Sequence, residues 1–180
     1  MIFNPRKLFV IVGYPHTGKT KTLQQIFHRK HFFPYKQPIS TAYFGAEKFI
    51  VINISDHNHR TANYLLRIKD VMKYHTETQA YFLVVISMAF DNSNRDVKNI
   101  LAYFNQSGWD IHYLLLSSSW YDKSIIKEQD VILFKQLIER GRIHILERLV
   151  TLSPIRFNER VEEVKEVILK ALEQKVVMLS

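Results

Sequence analysis

The chain has 180 residues, with 25 lysines and arginines against 17 aspartates and glutamates, a net charge of +8, 47% hydrophobic residues and no cysteine. These proportions fit one globular domain around one core, and they exclude disulfides, thiolate metal sites and a cysteine nucleophile. The basic balance favours polyanions as partners: nucleotides, nucleic acid or acidic lipid.

The longest apolar run, residues 81–90, is interrupted by Ser87 and falls well short of the roughly 20 residues that cross a bilayer. The opening MIFNPRKLFV lacks the apolar length and small-residue cleavage site of a secretory signal. A cytoplasmic protein without a membrane partner is expected.

In chain order, residues 8–12 are five consecutive apolar residues and predict a strand buried on both faces. The octet GYPHTGKT follows at 13–20, and Leu23, Ile26 and Phe27 then show helical spacing. Residues 29–41 hold Pro34 and Pro38 without a clean period, predicting a long exposed loop, and HRKHFFPYK at 28–36 concentrates basic and aromatic residues. Residues 41–54 read either as a single strand after a loop, centred on 49–54, or as a hairpin turning near Gly45.

Leu65, Ile68 and Met72 predict a second helix and residues 82–86 a strand. Ser93 with Asp96 reads as a capping box opening a third helix, whose apolar stripe is Val97, Ile100, Leu101 and Phe104 and whose stop is near Gly108. Residues 111–116 predict another strand, then Val131, Phe134 and Ile138 a helix closing near Gly141. A last strand at 143–146 and a helix striped by Val161, Val164, Ile168 and Leu172 complete the chain. Repeated βα order predicts an α/β three-layer sandwich, with a mostly parallel central sheet of about five strands in a single domain.

The octet carries the chemistry. Glycines at both ends permit a tight backbone path, so the intervening amides can turn inward around a β-phosphate. The helix that follows adds its N-terminal dipole, Lys19 reaches the β- and γ-phosphates, and the Thr20 hydroxyl suits magnesium. With Gly13, Gly18, Lys19 and Thr20 all matching, this stretch resembles the P-loop (Walker A) superfamily of nucleoside-triphosphate-binding proteins.

The resemblance implies the P-loop NTPase fold and a magnesium nucleoside triphosphate held by Gly13, Tyr14, Pro15, His16, Thr17, Gly18, Lys19, Thr20 and Lys21. GYPHTGKT is similar to the Gly-x-Pro-x-x-Gly-Lys-Thr form of small kinases and AAA-type ATPases, with His16 where those families usually have glycine. ATP is therefore the first candidate and GTP the alternative. The His16 ring either leans over the phosphates or faces solvent.

Phosphoryl transfer also needs a carboxylate near the metal. The strand YFLVVIS ends in Ser87, where the superfamily's Walker B aspartate is expected. Asp56, after FIVINIS, is the first candidate for a catalytic and metal-site acid beside Thr20, and Asp91 is the second. DHNHR, residues 56–60, has ligand types for zinc or iron but no second cluster to complete a site. Arg60, Arg95, Lys123 and Lys127 are candidate phosphate cations. Residues 117–130 are a candidate lid or base-binding loop, in which Trp120 and Tyr121 stack on a purine or Trp120 plugs the sheet edge.

The leading reading is an ATPase or small kinase-like phosphotransferase whose acceptor the sequence does not name. A Ras-like GTP-binding switch is the alternative, with the 41–54 hairpin, Asp56 and Asp122 in that family's order, although the Asn-Lys of the guanine motif and the γ-phosphate glycine are missing. A nucleic-acid-binding module using 28–36 beside a regulatory or degenerate P-loop is the third. No Gly-x-Ser-x-Gly elbow, His-Glu-x-x-His helix or dinucleotide fingerprint occurs.

Overall fold

The structure is a computed structural model and describes residues 6–31, 33–53, 61–90, 96–121 and 123–174. Five strands, β1 (Lys7–Gly13), β2 (Phe49–Ile52), β3 (Tyr81–Ser87), β4 (Asp110–Leu116) and β5 (Arg142–Leu146), form one sheet in the order β2-β3-β1-β4-β5. Among the described residues the pairings between these strands are all parallel. The helices are α1 (Lys19–Ile26), α2 (Thr61–Tyr74), α3 (Lys98–Asn105), α4 (Glu128–Leu137) and α5 (Pro154–Glu173).

Alternation along each strand sends side chains to two apolar layers. Leu8, Val10 and Val12 meet Ile68, Leu101 and Phe134 from α2, α3 and α4 on one side. Phe9 and Ile11 meet Leu23 and Ile26 of α1 with Phe157 and Val164 of α5 on the other. Burial of each such side chain contributes about 1.5–3 kcal/mol before entropy is charged against it. Both faces of the central strand are therefore sealed, and the three-layer α/β sandwich stands.

The connection after β1 runs to one face, while those after β3 and β4 run to the other. That reversal opens crevices at the carboxyl ends of β1's two junctions, where ligands of open α/β sheets collect.

Several local expectations change. Residues 29–41 are not simply an exposed loop: Phe33 and Ile39 are buried, and Phe33 packs edge-on against Phe27 at 6.0 Å. β2 is one strand of the parallel sheet, and the hairpin is reduced to a single antiparallel bridge between Ile39 and Phe49 across a 3-10 turn, Ala42–Phe44. The third helix starts at Lys98, whose amide donates to the Asp96 carboxylate at 2.8 Å; its expected partner Ser93 lies outside the described residues. Among the described residues no helix is long and apolar enough to cross a membrane.

At the amino end of the sheet, far from the loop, Lys7 and His112 are buried around Asp110. Lys7 Nζ donates to Asp110 Oδ2 at 2.6 Å, and His112 Nδ1 lies 3.1 Å from His144 Nε2 with the rings stacked. Burial alone would raise the Asp110 carboxyl, but the Lys7 hydrogen bond and His112 outweigh it and hold it below its ordinary value. Burial also pushes His112 down to about 4 against the opposing pull of Asp110.

Candidate phosphate-binding site

β1 delivers Gly13 in register with Ser87 of β3, and the amide of Met88 donates to the Gly13 carbonyl at 3.0 Å. A Cβ at Gly13 would stand 2.7 Å from Thr17 Oγ1, so only glycine lets the chain fold back there. Thr17 is buried, and its hydroxyl donates to the Tyr14 carbonyl at 3.0 Å. The loop next turns through two left-handed residues, His16 at φ 65° and Gly18 at φ 82°, before α1 begins. His16 thus occupies a conformation that glycine adopts more cheaply.

Lys19 is nearly buried and turns back under the loop. Its Nζ donates to the carbonyls of Gly13 at 3.0 Å and Tyr14 at 2.6 Å. Burial first, and then the nearby Arg160 charge, push its ammonium down to about 7. No acidic residue occupies the first turn of α1 to compensate.

Arg160, from α5, also reaches the candidate loop, a contact that its place in the sequence does not announce. It is fully buried, its Nη2 donates to the Thr17 carbonyl at 2.5 Å, and its Nη1 donates to the Ser118 carbonyl at 3.0 Å. Burial lowers it to about 10, with Glu163 opposing, while Glu163 itself is paired with Arg148 at 2.5 Å. Its inward direction was signalled: position 160 lies on the same helical stripe as Phe157 and Val164, so a charged residue was due to point inward.

Asn53, just after β2, was also missed. It meets the Thr20 hydroxyl at 3.2–3.3 Å, and its own carbonyl accepts from the Tyr35 hydroxyl at 3.0 Å. Tyr64 of α2 lies over the ends of the same strands, with its hydroxyl 3.0 Å from the Ile52 carbonyl and in contact with that of Val85. Burial raises this phenol strongly, so it stays a neutral donor. The carboxyl end of β2 thus faces the beginning of α1.

The stretch expected as a lid is fastened to the loop. The Trp120 amide donates to the His16 carbonyl at 3.0 Å, the Leu152 amide donates to the Trp120 carbonyl at 2.8 Å, and Ser118 bridges Ile125. Trp120 packs edge-on against Phe157 at 5.0 Å, with Lys21 Nζ 3.7 Å from its ring centre. Its ring therefore belongs to the packing beneath the loop, whereas Tyr121 is 63% exposed and meets the exposed His16 ring edge-on at 5.7 Å. On the other flank the Tyr14 hydroxyl donates to Asp130 of α4, accepts from the Lys127 amide at 3.3 Å, and is raised by burial and by that carboxylate. Pro15, Lys123 and Lys127 are exposed.

Asp56, Asp91, Asp122, Arg60, Arg95 and the DHNHR cluster lie outside the described residues. Among the described residues no group of three or more His, Asp or Glu could hold a metal ion. Ser87, partly buried, ends β3 beside Gly13 in place of a carboxylate.

No protein-family model matches the sequence, and no curated protein matches it. Among solved structures, the chain is similar to an unliganded sugar kinase from Janibacter sp. HTCC2649, at 12% identity and a TM-score of 0.40, covering 94% of this chain and 95% of that one. A likeness at that level adds nothing to what the sheet order and loop geometry carry by themselves.

Proposed function

We propose that this chain binds a magnesium nucleoside triphosphate, ATP in preference to GTP, in the 13–20 loop and acts as a kinase-like phosphotransferase or ATPase. One observation carries the reading: two buried basic side chains, Lys19 and Arg160, share the base of the loop and are hydrogen-bonded only to carbonyl oxygens among the described residues. Holding positive charge at two buried side chains is costly, and an anionic ligand above the loop relieves that cost.

The residues fit the ligand. His16 and Gly18 take left-handed turns, the kind of backbone from which an anion nest is built. Lys19 would exchange its carbonyl partners for β- and γ-phosphate oxygens and stabilise the charge that develops there during transfer. Magnesium would be held by Thr20 with Asn53 beside it, and by Asp56, or Asp91 as second choice, supplying charge neutralisation between the phosphates. The acceptor would enter over the carboxyl ends of β2 and β3, where Asn53, Tyr35 and Tyr64 offer polar groups.

Calorimetric titration with ATP and with GTP, each with magnesium at fixed salt, tests the proposal. Binding of ATP with weaker binding of GTP supports it. A guanine preference transfers the assignment to a Ras-like switch, and binding of neither nucleotide overturns it.

A further inference from the structure

The basic stretch that begins at His28 is not used by the phosphate loop. α1 and α5 lie side by side, and between the end of α1 and the middle of α5 a groove of about 730 Å3 opens. Lys21, Arg29, Lys30 and Lys165 line it, against one carboxylate, Glu162, which Lys165 already holds at 2.8 Å. The described ion pairs leave Arg29 and Lys30, both exposed, without a carboxylate. The rest of the lining is largely amide, from Gln24, Gln25 and Asn158, with Val161 as its apolar member. Beside it the Tyr43 ring, 37% exposed, has Lys165 Nζ 4.8 Å from its centre.

We infer that this groove binds the phosphodiester backbone of a single-stranded nucleic acid, with Tyr43 stacking on an unpaired base. Cations along a concave wall match a line of phosphates, amides can donate to phosphate and sugar oxygens, and an exposed ring at one end accepts any base. A duplex keeps its bases stacked inside and offers Tyr43 nothing. A membrane needs a protruding basic face, which a groove between two helices is not. The apolar content is too small for a helix-in-groove peptide. Apart from Lys21, which borders both, the groove is separate from the triphosphate site: Arg29, Lys30 and Tyr43 take no part in the loop.

The test is fluorescence anisotropy with a labelled oligothymidylate of about 20 nucleotides. Three or four phosphate contacts predict that affinity falls about 20- to 50-fold between roughly 50 and 200 mM salt, from a slope of about −0.7 per contact. The double substitution Arg29→Glu, Lys30→Glu should weaken binding at least about tenfold and flatten that slope, with unchanged circular dichroism and unchanged magnesium-ATP titration. Tyr43→Ala, which leaves the charges in place, should weaken binding about fivefold or more.

Absence of binding at low salt overturns the inference, as does binding indifferent to all three substitutions. Displacement of the oligonucleotide by excess magnesium-ATP overturns it too, because the strand would then occupy the loop. Retention on phosphatidylserine vesicles with no oligonucleotide binding would reassign the groove to a membrane.

Discussion

Arg160 of α5 donates from Nη2 to the carbonyl oxygen of Thr17, 143 residues earlier in the 13–20 loop, at 2.5 Å, and from Nη1 to the carbonyl oxygen of Ser118 at 3.0 Å. One guanidinium thus ties the loop to the end of β4. Replacing a buried charge by an apolar side chain can be neutral where nothing is left unpaired. Here two buried carbonyls would lose their donors, so Arg160→Met should cost about 2–4 kcal/mol in urea denaturation. A variant as stable as the wild type would show that those carbonyls find other partners.

Gly18→Ala should be harmful for a different reason. The residue sits at φ 82°, and a Cβ would lie 3.2 Å from both Arg160 Nη2 and Phe157 Cε2. The left-handed conformation alone costs an L-residue about 1–2 kcal/mol, and the crowding adds to it. Chemical denaturation should report a loss of at least about 1 kcal/mol, together with weaker triphosphate binding.

Burial lowers Lys19 from its ordinary value of 10.5 to about 7. Between those two values the unfolded chain binds more protons than the folded one, so this group makes stability rise with pH from about 7 upward. Denaturant midpoints should therefore increase between pH 7 and pH 9, and Lys19→Met should remove that part of the increase. A bound triphosphate would restore the charge. Titration at pH 8 in two buffers of different ionisation enthalpy should then reveal proton uptake, and zero uptake would mean that Lys19 is already charged.

The histidine pair gives the opposite end of the pH scale. Burial lowers His112 from 6.5 to about 4, and burial with Arg142 lowers His144. Within that window the unfolded chain takes up protons that the fold refuses, so stability is lost as pH falls from about 6.5 towards 4. His112→Leu should flatten this acid limb in a urea series from pH 7 to pH 4.5. An unchanged slope would place the acid sensitivity elsewhere.

The layers were legible in the sequence because burial on both faces leaves continuous apolar runs: β1, β3 and β4 match residues 8–12, 82–86 and 111–116 with small changes at their ends. Gly13, Gly18 and Lys19 could be read as one candidate loop because their spacing is local. Asn53 and Arg160 were not placed beside that candidate loop, since the partner of each is fixed by strand order and by the packing of α5. Arg160 nonetheless announced itself as a charge on a buried stripe. Of the two places open to Trp120, purine stacking or packing, the ring takes packing for the same tertiary reason: it meets Phe157, which lies 37 residues further along the chain.

The most direct measurement compares wild type and Lys19→Ala by calorimetric titration with magnesium-ATP and with adenosine. Removal of a charge-assisted contact to phosphate should weaken ATP binding about 10- to 100-fold and leave adenosine binding nearly unchanged. Equal ATP affinity in the two proteins would contradict the account at its centre, because the buried cation under the loop would then have no part in holding a phosphate.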